Sequence, residues 1–224
     1  MKSLNAWNSS TLPVKEPLNM WLGANFSARI AGALPGVISR MPAQQPKLFL
    51  TFDDGPHPEI TPRVLELLEK YSALASFFLV GENAEKYPAV VSSLLSKNHT
   101  IGNHTYQHLN GWKTSLNMYL HNIEKAAQFY DTNLFRPPYG KMTLQQYRAV
   151  KQQYRIVLWT CLTEDFNAAK SQEQILRKSE RAIAPGAILL FHDSPKAQKN
   201  LLFVLPRLLA FARERGYTFE AIPS

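Results

Sequence analysis

The chain has 224 residues, 45% of them hydrophobic, which fits one globular domain able to bury about 70% of its unfolded surface. Its single cysteine, Cys161, excludes an internal disulfide. The net charge of +8 comes from scattered Lys and Arg without a dense basic run, so it indicates a solvated surface and no nucleic-acid partner.

The first 46 residues lack the regular pattern of the rest and are predicted to be an N-terminal extension and linker. They carry Asn, Ser and Pro early, have a middle part that is predicted to form a short helix, and end in "MPAQQP" just before Lys47. No apolar stretch approaches the roughly 18 residues of a membrane span. Residues 1–28 also lack a charged start followed by an apolar block, so the sequence favours a cytoplasmic location over export.

From Lys47 to the end, residues 47–224, seven predicted strands alternate with six predicted helices. Strict alternation indicates parallel strands with helices outside, either as a distorted (β/α)7 barrel of the TIM type or as an open doubly wound sheet. The strands are 48–52, 75–80, 99–103, 133–135, 155–160, 187–191 and 217–222; the helices are 60–71, 84–97, 115–130, 143–153, 171–184 and 199–215.

Polar side chains cluster just after the predicted strands, at the face where β/α barrels keep their catalytic groups. Residues with purely structural roles would have no reason to share one face. The set is Asp53 and Asp54 after the first strand, His104 and His108 after the third, Arg136 and Tyr139 after the fourth, Asp165 after the fifth and His192 after the sixth.

The histidines of "HTYQH", His104 and His108, have the i, i+4 spacing that places two imidazoles on one face of a helical turn. Alone, this spacing fits capping or core histidines better than a metal site. With Asp53 and Asp54, however, two histidines and one carboxylate make the three-ligand set of a catalytic zinc. A cation would relieve the repulsion between the aspartates and leave one of them free as a base, whereas the pair alone also suits a helix cap and turn.

Two further motifs suit amide hydrolysis. The prolines of "RPPYG", residues 136–140, fix a backbone that could present an amide N–H to an oxyanion, and Arg136 could keep a carboxylate base ionised. His192 follows the apolar run "ILLF" and could act as a general acid, with Asp165 hydrogen-bonded to its second ring nitrogen. A rigid surface turn and a satisfied histidine at the barrel rim are the structural alternatives.

Aromatic side chains near these motifs are candidates for walls that stack on a sugar ring. Trp112, Tyr139 and Phe166 are the three, although aromatic residues are more often part of the core. The remaining histidines, at positions 57, 99 and 121, are predicted to be structural.

Five motifs, "TFDDGP", "HTYQH", "RPPYG", "EDF" and "LLFH", resemble those of the polysaccharide deacetylases, carbohydrate esterase family four with the nodulation-type deacetylase domain. They occur in the family's order and rough spacing over about residues 47–222. The resemblance implies a distorted β/α barrel that removes acetyl groups from N-acetylated carbohydrates such as chitin oligomers or peptidoglycan. It also implies a divalent metal, usually Zn²⁺, with Co²⁺, Mn²⁺ or Ni²⁺ as alternatives.

Residue roles follow from the same resemblance. Asp53 matches the catalytic base, Arg136 the residue that orients it, the Tyr139 backbone N–H the oxyanion donor, His192 the general acid and Asp165 the aspartate that tunes it. The metal ligands would be Asp54, His104 and His108, and Leu190 would line the pocket for the acetyl methyl group.

The fourth motif departs from the family pattern Asp-x-x-Asp-Trp. Leu162 stands in place of the first aspartate and Phe166 in place of the tryptophan, which puts substrate preference in question rather than activity. The sequence therefore predicts a metal-dependent N-deacetylase. The alternatives are an amidohydrolase acting on a small non-sugar amide and an inactive carbohydrate-binding protein.

Overall fold

A computed structural model describes residues 34–42 and 44–224 of the chain. Most of the extension predicted for residues 1–46, including its short helix, lies outside the described residues. The described part of that segment contains strand β1, Val37–Ile38, which pairs with a strand of the main sheet. Among the helices of the described residues, none has the length and apolar character needed to cross a membrane.

Over residues 47–224 the strands and helices alternate as the sequence predicts, except at two places where one predicted element is divided into two. The strands are β1 Val37–Ile38, β2 Lys47–Asp53, β3 Ala75–Leu79, β4 Thr100–Asn103, β5 Leu134–Phe135, β6 Arg155–Val157, β7 Cys161–Leu162, β8 Ile188–His192 and β9 Thr218–Phe219. The helices are α1 Ile60–Lys70, α2 Gly81–Lys86, α3 Pro88–Ser96, α4 Leu116–Ala126, α5 Leu144–Val150, α6 Gln172–Arg181 and α7 Gln198–Glu214.

The sheet is parallel and curls into a barrel. Its order is β1-β6-β5-β4-β3-β2-β8-β7, with β9 paired to the start of β2. Strands β6 and β7 are successive pieces of one run of chain, so the two ends of this order meet. The N–H of Leu158 donates to the Ile38 carbonyl at 2.7 Å and that of Thr160 to the Ile188 carbonyl at 2.8 Å. The predicted distorted barrel is therefore confirmed, and the open sheet is not.

Strand β2 shows how the sequence places polar groups inside the barrel. Side chains alternate between the two faces of a strand. Leu48, Leu50 and Phe52 belong to the cluster packed under the outer helices, whereas Phe49 belongs to the interior cluster with residues of β3, β5, β6 and β8. Thr51 and Asp53 share the face of Phe49, so they occupy the carboxyl end of the barrel interior.

Two elements differ from the prediction, one because of a proline at residue 88 and the other because of how the barrel closes. The helix predicted over residues 84–97 is two helices, because Pro88 begins α3 at a position where its missing N–H costs nothing. The strand predicted over 155–160 divides because the chain leaves β1 and β5 and joins β8.

Candidate metal centre and catalytic site

A buried ion pair anchors Asp53 at the top of the barrel. The Arg136 guanidinium donates to Asp53 Oδ1 at 2.7 Å, and both side chains are almost completely shielded from water. Arg136 also donates to Thr51 Oγ1 and to the carbonyls of Val157 and Leu158, each within 3.0 Å. A guanidinium held by four acceptors has one orientation, so it fixes the Asp53 carboxylate and keeps it paired with a positive charge.

Asp54, His104 and His108 converge beside Asp53. One ligand atom from each lies within 4.8 Å of the others, and His108 Nε2 is 3.2 Å from Asp54 Oδ1. Four ligands about 2.1 Å from a tetrahedral zinc lie roughly 3.4 Å apart, so small side-chain movements suffice to bind a cation. Asp53 Oδ2 lies 3.7 Å from His104 Nε2, close enough for this second carboxylate to act next to the metal.

His104 is prepared to act as a neutral ligand. Its Nδ1 donates to the Arg136 carbonyl at 2.7 Å, because a carbonyl can only accept, and this leaves the Nε2 lone pair facing the aspartates. Burial lowers the pKa of His104 to about 4, so the imidazole is uncharged at neutral pH. Burial would raise the pKa of Asp54, but the hydrogen bond from His108 and the nearby imidazoles hold it well below its usual range.

The donor set therefore fits a divalent cation such as Zn²⁺ on its own chemistry. It combines one carboxylate and two imidazoles, one of them neutral and with its second nitrogen satisfied by a carbonyl. This supports the predicted metal centre.

The histidines do not lie on a helical turn, and that part of the prediction is wrong. Residues 104–110 form an irregular loop in which Thr105 and His108 have positive φ values of 63° and 52°. Asp54 and Tyr139 also have positive φ, at 77° and 61°. Such backbone is unfavourable for non-glycine residues and persists only where the surrounding structure enforces it, and a cluster of such residues is typical of functional sites.

Three asparagines that the sequence analysis did not single out enforce this backbone. Asn83 donates to the Asp54 carbonyl at 2.8 Å. Asn103 Oδ1 accepts from the Thr105 N–H, and Asn122 Oδ1 accepts from the N–H groups of residues 106 and 107. All three act through backbone groups, and only Asn103, which directly precedes "HTYQH", has a sequence position that could have identified it.

His192 lies across from Asp53 and is held by Asp165. The register of the parallel strands β2 and β8 makes Asp53 and His192 partners. The two Asp165 oxygens accept from His192 Nδ1 and from its backbone N–H, both at 2.8 Å. Burial would lower the pKa of His192, but the Asp165 charge and hydrogen bond, together with Asp54 and Asp53, raise it to about 9.

The predicted pocket residues occupy different positions around this site. Leu190 is buried in β8 opposite Thr51, and the Phe166 ring meets the His192 ring edge-on with centroids 4.9 Å apart. The Tyr139 side chain is 53% exposed and its hydroxyl lies 3.2 Å from His108 Nδ1.

Trp112 is the third aromatic residue predicted to form a wall for a sugar ring. This residue is half-buried, donates through Nε1 to the Met142 carbonyl, and has the Lys141 ammonium over its ring.

The surroundings of two of the other histidines fit the predicted structural role. His57 Nδ1 accepts from the N–H groups of Glu59 and Ile60 at the start of α1. His99 is buried and accepts from the Ala75 N–H, and burial lowers its pKa to about 4. His121 is exposed on α4.

Comparison with known proteins gives the family. The family model for polysaccharide deacetylase matches residues 40–157. A peptidoglycan-N-acetylglucosamine deacetylase of Bacillus cereus is 34% identical over 91% of this chain and 75% of its own length. A chitooligosaccharide deacetylase of Azorhizobium caulinodans is 34% identical over 84% of this chain and 98% of its own.

A solved structure gives the same answer. The crystal structure of a peptidoglycan N-acetylglucosamine deacetylase superposes with a TM-score of 0.78 at 31% identity, covering 84% of this chain and 91% of that one. With its barrel, its Asp-His-His cluster and these matches, the chain belongs to the polysaccharide deacetylase family. The family resemblance that the motifs indicate is thereby confirmed.

Proposed function

We propose that this protein is a metal-dependent hydrolase that removes N-acetyl groups from N-acetylglucosamine-containing oligosaccharides or peptidoglycan and releases acetate. The observation that carries the proposal is the placement of Asp53 and His192. They are register partners at the ends of adjacent strands, one held by Arg136 and the other by Asp165, beside the Asp54, His104 and His108 cluster.

Each group has one role in hydrolysis of the acetamide. Asp54, His104 and His108 would hold a divalent cation, which we propose to be Zn²⁺, and the cation would supply Lewis-acid chemistry. Asp53 accepts a proton from the water as its oxygen attacks the acetyl carbon. The Tyr139 backbone N–H donates to the carbonyl oxygen that becomes negative. Tyr139 already has a positive φ, so this donor is in place before the charge develops.

The departing nitrogen needs a proton, and His192 is placed to supply it. With a pKa of about 9, its imidazole is protonated at neutral pH, because Asp165 and the other nearby carboxylates stabilise its positive charge against the effect of burial. When the C–N bond breaks, His192 protonates the amine, and the products are acetate and a free amino sugar. We assign the acetyl methyl group to the pocket that includes Leu190, and the wall beside the sugar to Phe166.

The test is acetate release from N-acetylglucosamine oligomers and from peptidoglycan, before and after chelation and with Zn²⁺ restored. We expect release that chelation abolishes and Zn²⁺ recovers. Asp53→Asn should reduce turnover at least about 10²-fold while one Zn²⁺ per chain remains bound, because the base is lost but no proposed ligand is. The matched control is Asp131→Asn, which makes the same change at an exposed position outside the Asp54, His104 and His108 cluster. This variant should retain activity.

Two results would change the proposal. Full activity of Asp53→Asn would remove Asp53 from the role of base. If the zinc-loaded protein released no acetate from either carbohydrate, a small non-sugar amide would become the better substrate. No release and no bound metal would favour the carbohydrate-binding protein.

A further inference from the structure

A buried carboxyl group beside the site has no role in the mechanism above. Asp193 directly follows His192, and its side chain is fully shielded from solvent. Its Oδ2 accepts a hydrogen bond from Thr61 Oγ1 at 2.5 Å, whereas Oδ1 is buried with no described hydrogen-bond partner. A carboxylate with one unsatisfied oxygen is costly to bury, so this position demands a physical explanation.

The contacts of Asp193 connect it to the turn of residues 53–57, which begins with Asp53 and Asp54. Its backbone N–H donates to the Asp53 carbonyl at 3.2 Å. Its carboxyl group packs on Gly55 so closely that a Cβ there would overlap all three carboxyl atoms. The turn therefore needs glycine at residue 55 because of this close approach.

Thr61 extends the same contact to the far side of the turn. Its hydroxyl accepts from the His57 N–H at 2.8 Å while donating to Asp193. The chain from His57 through Thr61 to Asp193 thus joins the end of the turn to the end of strand β8. On the opposite side, Asn83 and the Val80 N–H hold the carbonyls of Asp54 and Gly55.

We propose that Asp193 and Thr61 are positioning residues, a clamp that fixes the turn bearing Asp53 and Asp54 relative to His192. The catalytic part of this inference depends on the deacetylation proposed above. The acid and the base lie on different strands, and Asp193 is adjacent to the acid and touches the turn of the base. Loosening the clamp should therefore disturb the geometry between the two groups, which turnover depends on, more than substrate binding.

The main test compares Thr61→Val with Thr61→Ser in the full-length protein. Valine keeps the size of threonine and removes the hydroxyl, whereas serine keeps the hydroxyl. We expect kcat of Thr61→Val to fall by about tenfold or more with KM within about twofold, and Thr61→Ser to recover most of the loss. Zinc content is measured for each variant so that metal loss is not mistaken for misplacement.

Thr132→Val is the matched control. Thr132 also accepts from a backbone N–H, that of Leu134, and it donates to the backbone carbonyl of Ile101 instead of a carboxyl group; it lies before β5, away from the site. It should lose stability without losing kcat. A second pair tests the carboxyl itself: Asp193→Asn keeps an oxygen to accept from Thr61 and should be milder than Asp193→Leu.

Hydrogen exchange by mass spectrometry tests the clamp without using activity. Thr61→Val should accelerate exchange in the peptide containing residues 54–60, and Thr132→Val should not. If the wild-type protein releases no acetate but this acceleration is seen, the clamp stands and the proposed reaction fails. Unchanged exchange in Thr61→Val, or wild-type kcat in a folded and zinc-replete Thr61→Val, would overturn the clamp.

Discussion

Replacing Asp165 by asparagine tests how the protein keeps a protonated histidine in its active site. Asp165 gives one oxygen to His192 Nδ1 and the other to the His192 backbone N–H. An amide has a single acceptor oxygen and no charge, so Asp165→Asn loses one of these bonds and the whole electrostatic attraction. Burial disfavours the protonated imidazole, and without the Asp165 charge little offsets this effect. The pKa of His192 should therefore fall from about 9 towards its ordinary value of 6.5.

The size of the effect depends on pH. At pH 8 a group with a pKa of about 9 is roughly 90% protonated, whereas one with a pKa of about 6.5 is roughly 3% protonated. The general-acid form then becomes about 30-fold rarer, and kcat/KM at pH 8 should fall by about that factor. At pH 6 both proteins are mostly protonated and the difference should be less than about twofold. Activity is thus lost as pH rises, and it is lost earlier in the variant.

Two measurements check this expectation. An NMR titration of the metal-free protein follows the His192 imidazole directly, with His99, whose pKa of about 4 comes mainly from burial, as an internal control that should not move. The pH profile of kcat/KM for the zinc-loaded enzyme follows its alkaline limb. A bound cation lowers the pKa of His192 and so moves the alkaline limb to lower pH in both proteins. The difference in pH between the two limbs therefore remains. An unchanged His192 titration or an unmoved limb in Asp165→Asn would refute the assigned role of Asp165.

Two further changes test other parts of the site. Arg136→Met leaves the Asp53 carboxylate buried without its partner, which should cost about 3–5 kcal/mol and lower Tm by at least about 6 °C in calorimetry. A shift below about 2 °C would contradict the importance of this pair for the fold. Gly55→Ala forces a Cβ into the Asp193 carboxyl group and should lower both Tm and kcat. The control is Gly216→Ala, where no atom lies within 4 Å; its positive φ should cost stability only, so equal kcat losses in the two variants would argue against the overlap.

The elements that the sequence predicts well are those with a strong hydrophobic period. Strand β2 and helices α1 and α7 lie within one or two residues of their predicted bounds. The strand predicted over 155–160 was less accurate because its division into β6 and β7 depends on which neighbours the chain meets as the barrel closes. Periodicity within one segment contains no information about that choice.

The candidate site shows the same division between local and tertiary information. Residue type and placement after strands were enough to identify Asp53, Asp54, His104, His108 and His192. The shape of the "HTYQH" loop was not predictable, because i, i+4 spacing suggests a helix and only the surrounding structure holds Thr105 and His108 at positive φ. Thr51, Thr61 and Asp193 were overlooked since each works through a partner distant in sequence.

The asparagine bonds to the loop backbone have a consequence for protein engineering. The metal-ligand motif cannot be moved to another barrel as a short peptide, because its shape is imposed by amide groups on β4 and α4. A transplanted "HTYQH" without Asn103 and Asn122 would relax to ordinary backbone angles and separate its imidazoles. The smallest portable unit is therefore the loop together with the strand before it and the helix after it.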